Sequence, residues 1–495
     1  MLQFCLITLK KSKMKTTKLF SSWVFGILLF AFSINANANN VQITGTTVVG
    51  SNITFDIAWN NSWNASVAPA NWDAVWVFIK YQDCNTKLWS HVNLNVAGHS
   101  TLSPLQVDTV NDNKGVFIRR SAVGGGNISA TSVTLSMNLP AGTYNFKVFG
   151  IEMVNVPQGA FQLGDGLSDF KFNSITIDAV AQANGLTQAQ LETSYAIALP
   201  NTFPMGFNAF YCMKYEISQE QYSDFLNTLT FTQQKNHVVT DPISAAGSYA
   251  MYTGFQYRNG LSIVTPGFNG AIPAIFGCDA TTGTPNGIND GQNIAMNNIG
   301  YLDLSAYLDW SALRPMTELE FEKTCRGPEA RIVGAFPWGS TDITAASSSL
   351  LNNAFLASET SSTTVNNGMC VYNTANVGTT FGPLRVGALA TGASGRLSSG
   401  AAYYGAMDMG GNLWERVIGA YNAGSSAFNG TLGDGELTST GFSNAATWPT
   451  TDSNIVGGRG GEYIGAAALV RTSDRTYIVN GLSGRQFTYG GRGVR

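Results

Sequence analysis

Met409-Gly410-Gly411-Asn412-Leu413-Trp414-Glu415-Arg416, MGGNLWER, decides how this 495-residue sequence is read, because it sets a carboxylate directly behind an apolar pair in a chain with only 12% charged residues. A Gly-Gly-Asn run is turn chemistry, since glycine enters the left-handed backbone region without a Cβ penalty. Leu413 and Trp414 then read as core residues, and a buried Glu415 beside them needs a partner. Two explanations compete. Either Glu415 caps a tight turn while Trp414 fills the core, or the turn aims its carbonyls and the carboxylate at a hard cation, which takes oxygen ligands.

Working outward, the length predicts two domains behind a leader. Lys10, Lys11, Lys13, Lys15 and Lys18 precede an apolar run from Leu19 to Phe32, and Ala36-Asn37-Ala38 follows it. That order reads as a secretory signal, residues 1–38, cleaved after Ala38. The run is shorter than the roughly 20 residues of a spanning helix, and no other segment qualifies, so no transmembrane segment is expected after cleavage. The leader holds five of the 28 Lys and Arg and none of the 31 Asp and Glu, so the remaining chain has 23 bases against 31 acids and a net charge of −8. Such a balance argues against a nucleic-acid partner. Export, to the periplasm, the cell surface or the medium, permits disulfides. Five cysteines follow the leader: Cys84, Cys212, Cys278, Cys325 and Cys370. None forms a C-x-x-C, which removes zinc-ribbon and thioredoxin-type readings. Only His91, His99 and His237 are available for histidine chemistry.

Residues 39–152 carry alternating stretches, Ile53–Trp59 (ITFDIAW), Ala74–Tyr81 (AVWVFIKY), Ser132–Leu139 (SVTLSMNL) and Thr143–Ile151 (TYNFKVFGI), separated by turn residues. Strands at this spacing predict a β-sandwich domain. Trp59, Trp63, Trp72 and Trp76 suit either a sugar platform or core and corner packing, and the packing role is the simpler reading. From residue 153 to 495 the texture changes to short helices and long polar loops, an α+β pattern. Ser218 with Gln221, and Thr317 with Glu320, are capping boxes that each predict a helix. Residues 228–300 read as loop. Within them, Asp279, Asn286, Asn289 and Asp290 match no EF-hand spacing.

The second part also holds short signatures in a fixed order: Val156–Gly166 (VPQGAFQLGDG), Tyr211–Leu226 (YCMKYEISQEQYSDFL), Leu313–Gly327 (LRPMTELEFEKTCRG), Phe336–Gly339 (FPWG), Tyr404–Val417 (YGAMDMGGNLWERV), Gly457–Tyr463 (GGRGGEY), Val470–Arg475 (VRTSDR) and Gly491–Arg495 (GRGVR). Together they resemble the formylglycine-generating enzyme, or sulfatase-modifying factor, family, whose domain is a C-type-lectin-like fold with little regular secondary structure. The N-terminal part resembles a Bacteroidetes-type β-domain. The resemblance implies a structural calcium held by Asp408, the carbonyls of Gly411 and Leu413, and Glu415, with Asn353 at a second calcium site. It also implies a Cys212–Cys325 disulfide. The family's oxidase grips copper with two thiols placed between its RGG and R-x-x-x-R elements. Here that interval, Glu462–Val470, contains no cysteine. A soft ion such as Cu(I) needs thiolates, so no copper is expected. Tyr463, Arg471 and Arg475 then stand as a candidate ligand pocket. The expected function is an exported, non-catalytic binding or structural module for an envelope protein or glycan. An enzyme of altered oxidative chemistry is the alternative. The pair Glu318 and Glu322, one helical turn apart, reads as a structural partner for neighbouring arginines rather than an acid–base couple.

Overall fold

The computed structural model describes residues 40–347, 350–375, 381–392, 394–451 and 456–495; the expected leader lies outside them. In Asn52–Asn64 the side chains of Ile53, Phe55, Ile57 and Trp59 are buried and those between them are wetter, the period of two that a half-buried strand dictates. This strand pairs antiparallel with Gln42–Val49 on one side and Gly124–Asn138 on the other. Short strands Asn93–Leu94 and Ser100–Thr101 complete a five-stranded sheet. Its apolar face meets Val75, Val77, Ile79, Val116 and Ile118 of a second sheet in one shared core, which makes a two-sheet sandwich.

The strand Asp73–Asp83 has eight consecutive buried residues. One face joins the sandwich core, while Ala74, Trp76 and Phe78 on the other pack with Tyr222, Phe225, Tyr307 and Trp310 of the C-terminal part. Burial on both faces explains the unbroken apolar run there. The second sheet itself crosses from one part to the other. Tyr144–Val156 pairs through residues 144–154 with Asp73–Asp83, and through Met153–Val156 with Phe210–Met213. Gly493–Val494 and Arg314–Pro315 continue the sheet. The position between Glu152 and Met153 therefore falls inside a hydrogen-bonded strand. Side chains tighten the junction: Trp76 Nε1 donates to the Ser311 carbonyl at 2.8 Å, and buried Asn71 Nδ2 donates to the carbonyls of Asn155 and Tyr404. The tryptophan-rich corner is bonded inward as well, with Trp59 Nε1 on Asp73 and Trp63 Nε1 on Asn71.

Helices Gln219–Leu226 and Glu318–Arg326 begin at Ser218 and Thr317, and both capping boxes close reciprocally. Between them the chain is more regular than a loop. Thr230 and Gln233 cap a helix at Phe231–His237, and Leu261–Thr265 pairs with Ile275–Cys278. A further helix, Tyr301–Trp310, is buried along nearly its whole length. In the polar loop 279–290 the Asp290 carboxylate accepts from Thr281 and from the Gly287 N–H, so the loop satisfies itself. No helix among the described residues is long and apolar enough to cross a membrane.

The Cys212–Cys325 disulfide does not form. Both thiols are free and buried in one apolar cluster, and Cys212 Sγ instead donates to the Met213 carbonyl at 3.4 Å. Burial pushes the Cys212 thiol up to about 12 and raises Cys325 as well.

Candidate functional site

The helix Glu318–Arg326 is the electrostatic keel of the C-terminal part. Its Thr317 cap starts it facing the strand Val456–Arg459, so Glu318 and Glu322 share one inward face. Glu318 accepts from Arg459 Nη1 at 2.8 Å, from Arg475 Nε at 2.8 Å and Nη2 at 2.9 Å, and from the Ala420 N–H at 2.6 Å. Glu322 accepts from Arg459 Nη2, Arg326 Nη1, the Gly164 N–H and Ser473 Oγ. Arg475 also donates Nη1 to the carbonyls of Phe170 and Tyr195 and lies 3.8 Å over the Phe172 ring. Every one of these charged groups is buried, and their charges are paired within the network, although Arg459 Nε has no hydrogen-bond partner.

That bonding decides what the candidate pocket residues can do. Arg475 is fully buried in the keel and presents nothing to a ligand. Tyr463 is also buried, its ring 5.4 Å from Phe381 and nearly perpendicular to it. Half-buried Arg471 ends the single turn Ala467–Val470 and has no ion pair among the described residues. The three do not converge on one opening. The interval itself is a closed turn: Gly465 N–H donates to Glu462, and the carbonyls of Tyr463 and Gly465 accept from Thr374 and Asn373. One thiol packs against it, Cys370, buried with Phe336, Trp338 and Val470 and bonded to the Gly410 carbonyl at 3.3 Å. Burial, with the nearby Asp408 charge, raises this thiol well above its ordinary range.

Glu462 in the same turn is 7% exposed and accepts from the Ile464 N–H at 2.6 Å. Burial pushes its carboxyl up to about 7, against those N–H groups. The folded chain therefore keeps a proton that the unfolded chain releases above the ordinary 4.5. Stability from this group is complete below that value and is lost as pH rises through about 7. In urea unfolding between pH 5 and pH 8, Glu462→Gln should remove up to about 3 kcal/mol of the pH-dependent loss, and a variant with the parent's slope would exclude the carboxyl as its origin.

The turn that opened the sequence reading is organised by a residue the sequence did not single out. Glu216, fully buried, accepts from Asn412 Nδ2 at 2.5 Å and from the Leu413 N–H at 3.0 Å. Asn412 Oδ1 in turn accepts from the Leu384 N–H. Gly411 has φ 75°, and a Cβ there would fall 2.4 Å from the Val371 carbonyl oxygen, so glycine is required. Asp408 accepts from the Gly387 N–H at 2.6 Å, and Glu415 Oε1 accepts from Arg492 Nε at 2.6 Å. Burial and the neighbouring Asp408 and Glu415 charges push the Glu216 carboxyl well up. Arg492 pairs with Glu415, the Arg385 charge also acts on Asp408, and Glu415 Oε2 is buried without a hydrogen-bond partner. This unsatisfied oxygen, with the Asp408 carboxylate and the turn, suits a hard cation. Among the described residues no group of three or more His, Cys, Asp or Glu side chains is placed to hold a metal ion. Asn353 is exposed on a separate loop, its carbonyl bonded to the Leu356 N–H.

Open space lies elsewhere, along the junction of the two parts. One cavity of about 600 Å³ is walled by Trp63, Tyr215, Tyr403 and Tyr404, with Lys214 and Arg396. A second, of about 590 Å³, lies between Asn40–Thr44, the strand Tyr144–Val156 and the helices Gln219–Leu226 and Tyr301–Trp310. His237 is not catalytic in placement: its Nδ1 lies 3.0 Å from Asp303 and its Nε2 2.8 Å from the Gly441 carbonyl, all buried.

A β-rich module of short strands, clamped by a buried Glu–Arg keel and turning through a Gly-Gly-Asn-Leu-Trp-Glu corner, defines a class of domain rather than a reaction. Residues 145–494 match the sulfatase-modifying factor enzyme 1-like domain. The chain belongs to that family. Among curated proteins no match is found.

Proposed function

We propose that this chain is an exported, non-catalytic sulfatase-modifying-factor-like protein that acts as a binding or structural module at the cell envelope or surface. Its C-terminal module is a C-type-lectin-like fold stiffened by calcium. The observation that carries the reading is the interval Glu462–Val470, which has no cysteine where the family's oxidase needs two thiolates for Cu(I). Cys370 supplies a single thiol, buried and protonated. The basic, apolar and Ala-x-Ala order of residues 10–38 supports export. The unsatisfied Glu415 Oε2 supports a calcium held by Asp408, Glu415 and the Gly411 and Leu413 carbonyls. Exposed Asn353 would belong to a second, separate site. The aromatic wall of the 600 Å³ cavity suits stacking on a glycan or on an envelope-protein segment.

One observation favours the alternative of altered chemistry: the Glu462 carboxyl, poised at about 7 within the catalytic interval of the family, has the pKa of a general base. One assay tests whether the family's own reaction persists. Incubation with Cu(I), oxygen and a sulfatase-motif peptide is expected to leave the peptide cysteine unchanged by mass spectrometry. Catalytic conversion to the aldehyde would overturn the proposal.

A further inference from the structure

The 590 Å³ cavity at the junction has a composition that neither the family nor the keel explains. Its apolar wall comes from Phe78, Phe149, Tyr307 and Trp310, and its charged groups are all acidic: Glu152, Asp224 and Glu220. Glu220 is exposed at the mouth, Asp224 is half-buried one helical turn on, and Glu152 is 4% exposed. Glu152 Oε2 is held by Lys214 Nζ at 2.9 Å, but Lys214 also faces Asp73 at 3.7 Å, so that one cation serves two carboxylates. Glu152 Oε1 is buried with no hydrogen-bond partner. Burial raises the Glu152 carboxyl, against the opposing pull of Lys214 and the nearby Asn40 backbone N–H, and no bond closes on that oxygen. Neither Glu220 nor Asp224 has an ion pair among the described residues; Lys147, the cation that Asp224 feels, lies 5.7 Å over the Trp89 ring. The cavity is therefore net negative, and a buried acceptor is waiting in it.

A hard metal ion does not suit the place, because one side is aromatic hydrocarbon and the carboxylates are not clustered for metal coordination. An organic ammonium does. It carries one charge at low density, donates up to three hydrogen bonds, and is attracted to the faces of aromatic rings. We propose that this cavity binds an alkylammonium group, with the ammonium toward Glu152 and the hydrocarbon against Phe149 and Trp310.

Two sources present that chemistry. One is the chain itself: cut after Ala38, it would begin at Asn39, one residue ahead in sequence of Asn40, which lines the cavity. This source rests on the export reading. The other is a free amine or the lysine of a partner.

The test uses two forms of the full chain from Asn39, one with a free α-amine and one extended by Gly-Ser-Gly ahead of Asn39, each titrated with n-butylammonium chloride by calorimetry. Binding to the extended form, at least ten-fold weaker in the free form, identifies the chain's own terminus as the occupant. Equal binding to both identifies an external amine. In either case Asp224→Asn, which leaves the Glu152–Lys214 pair intact, is expected to weaken butylammonium several-fold. Butylammonium bound by neither form, or n-butanol bound as well as butylammonium, would overturn the proposal. Mass spectrometry of the exported protein locates the cleavage site independently, so a failure of the export reading is seen separately from a failure of the cavity.

Discussion

Glu318→Ala is expected to lower the unfolding free energy by about 3–5 kcal/mol, the cost of stripping one partner from a buried ion network. The size follows from what is left behind. Arg459 and Arg475 are both fully buried, and both spend guanidinium N–H groups on Glu318. An alanine supplies no acceptor, so buried Arg475 loses its carboxylate and Arg459 is left with Glu322 alone. Domains are stable by only about 5–15 kcal/mol, so much of the expressed variant should partition into inclusion bodies. A control on the surface sets the scale. Glu329 pairs with Arg396 at 3.1 Å, with side chains 47% and 30% exposed, and Glu329→Ala should cost less than about 1 kcal/mol. Chemical denaturation of both variants gives the comparison, and equal losses would show that the keel is not what holds the module.

Removal of the proposed calcium is expected to have the next largest effect. A ligand that binds only the folded chain stabilises it by about 2.7 kcal/mol when its free concentration is 100 times its dissociation constant. Dialysis against EGTA should therefore lower the thermal midpoint, calcium should restore it, and magnesium should not, because magnesium demands a smaller octahedral shell. Asp408→Asn should abolish the response to calcium while leaving the Glu415–Arg492 pair in place. A midpoint that EGTA does not move would remove calcium from the account and leave Arg492 and Arg385 as the cations that offset the Glu216, Asp408 and Glu415 cluster.

What was legible in the sequence is what local rules control. The capping boxes at Ser218 and Thr317 fix two helices because their side chains answer N–H groups within the same turn. The same rule at Thr230 and Gln233 marked a third helix inside the stretch read as loop, and the surrounding Asn and Gly masked it. Strands of the sandwich showed their period of two, whereas Asp73–Asp83 showed an unbroken run because both its faces are covered. Partners distant in sequence were not legible. Nothing local joins Glu216 to Leu413, and nothing local announces that Arg475 is consumed by Glu318 instead of facing a ligand. The expected disulfide also failed. The fold brings Cys212 and Cys325 into one cluster, yet both stand as free thiols.

The reading of function rests on whether this framework can still grip a soft metal. Titration of the purified full chain with Cu(I) against a chromogenic chelator of known affinity measures that directly. The account predicts that the chelator keeps the copper at every protein ratio, because Cys370 is a lone buried thiol and Glu462–Val470 offers none. Withdrawal of one equivalent of copper by the native protein, lost again in Cys370→Ser, would contradict it.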